Sequence, residues 1–452
     1  MKRSLWVRQL ALISALALVL AACGDGDDAE DDTGDEVEET DDAEDEGDDE
    51  EDAAEEDEDG EDEDGEDEGD EAAVDRPDRD DVLDLGYLLP ETGDLSTLGV
   101  PQIEAVQLAV EDINAAGGVL GSEVTLETGD EAGEGPVARE ETARLINAGV
   151  DAIVGAAASG MSQEVIDLTH DNEIVQCSAS NTSPSFSDQE NNAFYFRTVP
   201  PDEAVSPIIA NEVIGDGYTN VAVLVRADDY GEALGELVVE ELEGSVDVAV
   251  NDSYNPEDPD FASLVTEVSN AGADAVVVVG FDEAIDLFRQ LIEGGVGPDG
   301  LYGGDGLFGP HLLEGVGTDI EGLKVIGASG GADFNERLNE AMPEEEAGNV
   351  IYGGQAYDCT VVTALAAIAA DSADPAEFND HVADVTSGGT ECSSFEECAG
   401  LLEDGEDIDY QGASGPLEIE RPDPTFGRYA VGEFTADSLE IVGDQDVDLG
   451  EL

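Results

Sequence analysis

Asn147-Ala148-Gly149-Val150-Asp151-Ala152-Ile153-Val154 is echoed later in the chain by Asn270-Ala271-Gly272-Ala273-Asp274-Ala275-Val276-Val277. In both copies a helical pattern ends at glycine and an apolar run begins two residues later. A glycine-stopped helix followed by a buried strand is the signature of parallel sheets covered by helices. Meeting it twice predicts two similar α/β lobes.

The flanking sequence extends this pattern. Short apolar runs at 82–89, 124–126, 152–155, 174–177, 221–225 and 275–280 read as strands. Helical periodicity fills 136–148, 160–171, 203–213, 229–243, 260–271 and 282–293, and Ile103, Val106, Val110 and Ile113 mark one face of a further helix that stops at Gly117-Gly118. The expected fold class is α/β, with two doubly wound parallel-sheet lobes. Such sheets hold ligands beyond the carboxyl ends of their strands.

Size and charge agree with two lobes and exclude several functions. The chain has 452 residues, with 115 Asp or Glu against 14 Lys or Arg, a net charge of −101. Nucleic-acid binding through a basic patch is excluded, because phosphate contacts need the cations that this chain lacks. Residues 24–80 hold 37 of the acids, leaving −69 on the 372 residues from position 81 onward. That length exceeds the ~250 residues one core usually organises.

The segment before position 81 reads as an address followed by a spacer. Lys2, Arg3 and Arg8 precede an apolar run from Leu10 to Ala22, which is too short to span a bilayer and suited to a signal peptide. It ends Leu20-Ala21-Ala22-Cys23-Gly24, which resembles the lipobox of bacterial lipoproteins, with Cys23 as the lipidated residue. Residues 24–80 have too few apolar groups to offset chain entropy and are expected to form a disordered acidic tether reaching at most about 190 Å.

Two stretches look catalytic. Gly295-Val296-Gly297-Pro298-Asp299-Gly300 matches a dinucleotide fingerprint, but it follows a helix and precedes a strand, the reverse of the required order, and reads as a loop. Gly327-Ala328-Ser329-Gly330-Gly331 matches a nucleophile elbow, which would make Ser329 the nucleophile of a serine hydrolase with His381 as the only downstream histidine. His381 lies in a polar stretch, so a non-enzymatic protein is expected. His170, His311 and His381 are scattered, and neither a metal site nor a cofactor is expected.

Leu89-Pro90-Glu91-Thr92-Gly93, Ala109 to Gly118, Ile153-Val154-Gly155 with Ser159, and Ser178 to Pro184 together resemble the leucine/isoleucine/valine-binding family, as do Phe196-Arg197-Thr198, Asp229-Tyr230-Gly231-Glu232 and Tyr357-Asp358. These pieces cover most of 81–440 in family order. The resemblance implies a type I periplasmic-binding fold, with crossings near 198–202, 327–331 and 428–432, and it turns the apparent nucleophile elbow into a hinge. The implied organisation is a signal peptide at 1–22, a lipid anchor and tether at 23–80, lobe 1 from 81–200 plus 330–430, and lobe 2 from 201–329 plus 431–448.

By the same resemblance, Ser159, Ser180 and Thr182 hold an amino acid's carboxylate and share its amine, Asp305 binds the ammonium, and Tyr230 and Phe281 supply aromatic walls. Leu98 stands where the family can present a ring. The implied function is an extracytoplasmic, lipid-anchored solute receptor that delivers an amino acid, foremost a branched-chain one, to an ABC permease in the membrane; a monomer is expected. Alternatives are a receptor for urea, short amides or aromatic acids, and a sensory ligand-binding domain.

The remaining four cysteines fit export. Cys392 and Cys398 lie in one short loop and pair most economically. The family's chain path brings Cys359 back to the lobe of Cys177, which implies a Cys177–Cys359 bond.

Overall fold

The computed structural model describes residues 81–343 and 346–451. The signal segment, Cys23 and the acidic tether lie outside the described residues.

The first sheet comes from β1 (Asp84–Leu89), β2 (Thr125–Asp130), β3 (Ala152–Gly155), β4 (Val175–Ser178) and β5 (Tyr195–Arg197), in spatial order β2-β1-β3-β4-β5. All its pairings are parallel. Helices α1 (Ser96–Ala116), α2 (Gly135–Ala148) and α3 (Ser159–Asp171) connect its strands. The chain then builds α4 (Ser206–Asp216), β6 (Asn220–Arg226), α5 (Asp229–Leu242), β7 (Asp247–Tyr254), α6 (Ala262–Ala271), β8 (Ala275–Val279), α7 (Ala284–Glu293), β9 (Leu301–Gly303), α8 (His311–Val316) and β10 (Lys324–Ala328). Strands β7-β6-β8-β9-β10 repeat the order of the first sheet, again in parallel.

From β10 the chain continues through α9 (Ala332–Ala341), α10 (Gly353–Ala370), α11 (Pro375–Phe378), β11 (Thr390–Cys392), α12 (Phe395–Glu403), β12 (Ile408–Tyr410), β13 (Ile419–Glu420) and β14 (Asp423–Pro424). It ends in a long antiparallel hairpin, β15 (Phe426–Phe434) and β16 (Leu439–Asp448), and β15 pairs antiparallel with β10. Strand β15 runs unbroken across the 430/431 boundary expected from the sequence.

The internal repeat has a physical basis. Gly149 and Gly272 close α2 and α6 in the left-handed region, at φ 98° and 69°, where a side chain would be strained. Two residues on, the repeated aspartates anchor the start of the neighbouring strand in each sheet, β1 and β6. Asp151 Oδ2 accepts from the Asp84 amide at 3.0 Å, and Asp274 Oδ1 accepts from the Asn220 amide at 2.9 Å. The strands that follow are buried along their whole length, as parallel strands covered on both faces must be.

Helix α10 belongs with the first sheet although it follows the second in sequence. Cys359 on α10 is bonded to Cys177 on β4, and Thr198 Oγ1 donates to the Gln355 carbonyl at 2.8 Å. A second disulfide joins Cys392 to Cys398. No helix among the described residues is long and apolar enough to cross a membrane.

Both catalytic-looking motifs are connectors. Pro298–Gly300 forms a 3-10 turn between α7 and β9. Ser329 follows β10, its hydroxyl turns to the Gly330 carbonyl at 3.2 Å, and its amide donates to Arg428 O on β15 at 2.9 Å. His381 Nδ1 instead faces Asp384 at 3.2 Å.

Candidate functional site

The six residues singled out as ligand contacts all follow the carboxyl end of a parallel strand. Ser159 opens α3 after β3, and Ser180 and Thr182 lie in the loop after β4. Tyr230 is in the first turn of α5 after β6, Phe281 follows β8, and Asp305 begins a 3-10 turn after β9. Five of them, all but Thr182, line one cavity between the sheets together with Leu98, Ala157, Ala158, Gly306 and Tyr352. Its walls stand close together, with room for about one water molecule between them.

The wall from the first lobe is neutral. Ser159 stands at the N-terminus of a 13-residue helix, where unsatisfied amides and the helix dipole favour an anion. The amides just before it are occupied: Glu131, fully buried, accepts from Ala157 N at 2.9 Å and Ala158 N at 3.4 Å. Burial pushes the Glu131 carboxyl up to about 8, against the pull of those two hydrogen bonds. The Ser180 hydroxyl has one proton, and two carbonyl oxygens already sit within reach of it, Ala157 O at 2.9 Å and Gln102 Oε1 at 3.1 Å. What it has left is acceptor capacity, which fits an ammonium better than a carboxylate.

The wall from the second lobe is aromatic and acidic. The Tyr230 and Phe281 rings stack at 5.1 Å with 19° between planes, and the Arg226 guanidinium lies 4.3 Å from the Phe281 ring centroid. Gly306 holds Phe281 close, since a Cβ there would stand 2.7 Å from the ring and 2.6 Å from the Gly280 carbonyl. Asp305 is buried and already well supplied with donors. Tyr230 donates to one oxygen, Tyr352 to the other, and the Gly306 amide to Oδ1 at 3.0 Å. Burial still raises its pKa, and the three donors offset part of that rise.

Asp202, in the crossing after β5, is the residue that sequence reasoning missed. It is fully buried, and neither carboxylate oxygen has a hydrogen-bond partner among the described residues. Thr182 Oγ1 is near enough to lower its pKa but is not aligned as a donor. Burial first, and then the charge of Asp305, drive the Asp202 carboxyl well above its ordinary range. The Arg197 charge offsets part of that rise without a direct bond, its guanidinium being held by Asp423 at 2.6 Å, by Asn181 O and Ser183 O at 2.9 Å each, and by Ser187 Oγ at 3.0 Å. An acid set inside Thr198-Val199-Pro200-Pro201-Asp202 was the available signal, since a carboxylate in a buried crossing needs a counter-ion. Tyr352 carried no such signal, because it sits just before α10 in a left-handed conformation at φ 57°.

The site thus joins a helix N-terminus and hydroxyls to the hydrogen-bonded Asp305, and Asp202, which is not among the lining residues, is near enough to feel the Asp305 charge. It can hold a small molecule with an anionic and a cationic end. Direct bonds span the cleft, among them Tyr352 to Asp305, and Thr97 Oγ1 to Asp282 Oδ2 at 2.7 Å.

Comparison with known proteins agrees with this geometry. The family description "Periplasmic binding protein" matches residues 83–422. Leu/Ile/Val-binding protein BraC3 of Rhizobium johnstonii is 27% identical over 244 residues, 54% of this chain and 66% of that protein, so the match spans just under two thirds of its length. A leucine-, isoleucine-, valine-, threonine- and alanine-binding protein of Pseudomonas aeruginosa is 28% identical over 230 residues, covering 49% of this chain and 61% of its own. Among solved structures, the leucine-binding protein LivK of Thermotoga maritima superposes with a TM-score of 0.69 at 23% identity, over 82% of this chain and all of that one. LivJ of Streptococcus pneumoniae in complex with isoleucine gives 0.68 at 21% identity, over 81% and 99%.

Proposed function

This chain belongs to the periplasmic binding protein family, and from that premise we propose that it is an extracytoplasmic solute-binding lipoprotein of an ABC importer that encloses an α-amino acid between its lobes. Branched-chain amino acids lead the candidates, since similar proteins are named for binding them. The observation that carries the reading is that Asp305 and the α3 N-terminus at Ser159 line one cavity, with the buried, unpartnered Asp202 near enough for the Asp305 charge to raise its pKa.

An ammonium between the two acids supplies the missing counter-ion and draws both pKa values back down. The carboxylate of the same molecule meets the Ser159 hydroxyl and the first amides of α3. Neutral urea or an aromatic acid would leave Asp202 unpaired, which places those alternatives behind an amino acid. Lobe closure about the three crossings then removes water and strengthens every contact. The closed form docks on its permease, and lipid on Cys23 keeps the monomer at the membrane.

Calorimetric titration tests the reading. Leucine, isoleucine or valine should release heat with one-to-one stoichiometry, and Asp202→Asn should abolish or greatly weaken it. Binding of a neutral amide with no heat from any α-amino acid would sink the assignment.

A further inference from the structure

Glu131 sits directly behind the first-lobe wall and lines no part of the cavity itself. It follows the last residue of β2 and is fully buried. Its two oxygens accept from Ala157 N at 2.9 Å and Ala158 N at 3.4 Å, and both of those residues line the cavity. Ser159, the next residue along, lines it too and starts α3. One short stretch of backbone therefore offers amides to two occupants. The first pair goes to Glu131, and the amides that open the helix remain for the anionic end of a ligand.

The charged group that acts on Glu131 has the same sign. Asp130, its chain neighbour, adds to the rise in its pKa. Burial works against the Asp130 charge, but the Thr92 hydroxyl and the amides of Ala132, Thr92 and Glu91 hold that carboxyl below its ordinary range. No basic side chain bonds to Glu131 among the described residues. On α2, the helix packed beside it, Arg139 turns to the Glu164 carbonyl at 2.8 Å and Arg144 to Glu141 at 2.8 Å. With burial pushing it up to about 8, the Glu131 carboxyl is neutral at pH 7 and charged at pH 9. A neutral carboxyl still accepts from amides, so the backbone stays pinned in either state. What changes is the charge behind the anion subsite. An ionised Glu131 would share one run of amides with the ligand's carboxylate, two like charges in a dry interior.

Resting on the amino-acid reading above, we propose that Glu131 is the positioning residue of the carboxylate subsite and its charge gate: it pins the amides of Ala157 and Ala158, and the receptor accepts the anionic end of its ligand only while this residue keeps its proton. Ligand binding and loss of that proton oppose each other, so an amino acid that binds to the ionised form draws a proton from solution.

The test compares the full chain with Glu131→Gln, which keeps an acceptor and cannot ionise, by calorimetric titration of leucine from pH 7 to pH 9. The ratio of wild-type Kd to variant Kd should grow about ten-fold across that range. Titration of the ligand's amine, Asp202 and Asp305 is common to both proteins and cancels in the ratio. At pH 8, runs in buffers of different ionisation heat should show the wild type taking up about half a proton more than the variant. A merely structural Glu131 shifts the variant's affinity by one factor at every pH, and that flat ratio overturns the gate while the amino-acid reading stands. If Glu131→Gln does not fold, the wild type decides alone with leucine against leucinol, which has the amine and the side chain but no carboxylate. The leucine Kd divided by the leucinol Kd should rise about ten-fold over the same range, and a constant quotient overturns the gate. No heat from any α-amino acid removes both the gate and the reading beneath it.

Discussion

The first lobe meets the cleft with small hydroxyls and the amides that open a helix, whereas the second meets it with two stacked rings and an acid wrapped in phenols. The first wall offers neutral dipoles to an anion, a solution available to a chain with only 14 basic residues. The second offers apolar rings, and its own acid, Asp305, is largely occupied by Tyr230, Tyr352 and Gly306. The acid without a partner is Asp202, in the crossing after β5.

The strongest way to break this contrast is to exchange the two acids for amides. Asp202→Asn should weaken an amino-acid ligand by about 2–5 kcal/mol, because it removes the partner of a desolvated ammonium, and Asp305→Asn should cost less. Calorimetry giving the opposite order would move the ammonium to the second wall.

Next in size is Glu131, which holds the first wall from behind. Its native pKa, raised to about 8 from 4.5, means that the folded state binds more protons than the unfolded one between those values. Its contribution is therefore favourable below pH 4.5 and is lost as pH rises toward 8, on the order of a few kcal/mol. Thermal melts of Glu131→Gln should fall less steeply across that window than those of the parent; parallel curves would mean that the carboxyl is not held protonated.

Ser159→Ala should weaken binding by roughly 1.5–3 kcal/mol if the hydroxyl meets a carboxylate, and unchanged affinity would leave the helix amides as the only anion site. Phe281→Leu keeps the bulk but loses the stacking on Tyr230, and should cost ~1 kcal/mol for apolar ligands. A larger loss than for Ser159→Ala would reverse the weights of the two walls. The smallest effect concerns both lobes equally. With −69 on positions 81–452, added NaCl screens repulsion over a distance that shrinks to about 3 Å at 1 M, so the melting temperature should rise with salt. A flat response would show that the acidic surface carries no net strain.

The repeat around Gly149 and Gly272 made the two lobes legible, because a left-handed helix stop and a strand-anchoring aspartate leave a local mark. Six of the ten strands were marked by apolar runs, and the family resemblance located the six candidate contacts, which all fall beyond strand carboxyl ends. The β15–β16 hairpin was not read, since its alternating charged and apolar residues describe an edge ribbon that could attach to either sheet. At the site, the residue types were visible and their occupancy was not. Nothing in the string shows that Ser180 has no proton to give, or that the phenols of Tyr230 and Tyr352 fill Asp305. Asp202 escaped for a related reason, because its importance comes from the partners it lacks.

The Cys177–Cys359 bond joins residues 182 apart, whereas Cys392 and Cys398 are 6 apart. In a chain threaded out N-terminus first, Cys359 emerges while Cys177 is the only other cysteine from position 81 onward already outside. The late pair arrives afterwards and finds itself adjacent. Oxidation in order of arrival thus yields the native connectivity without a reshuffling step, and it fastens α10 to the first sheet before the closing hairpin of the second lobe has left the channel.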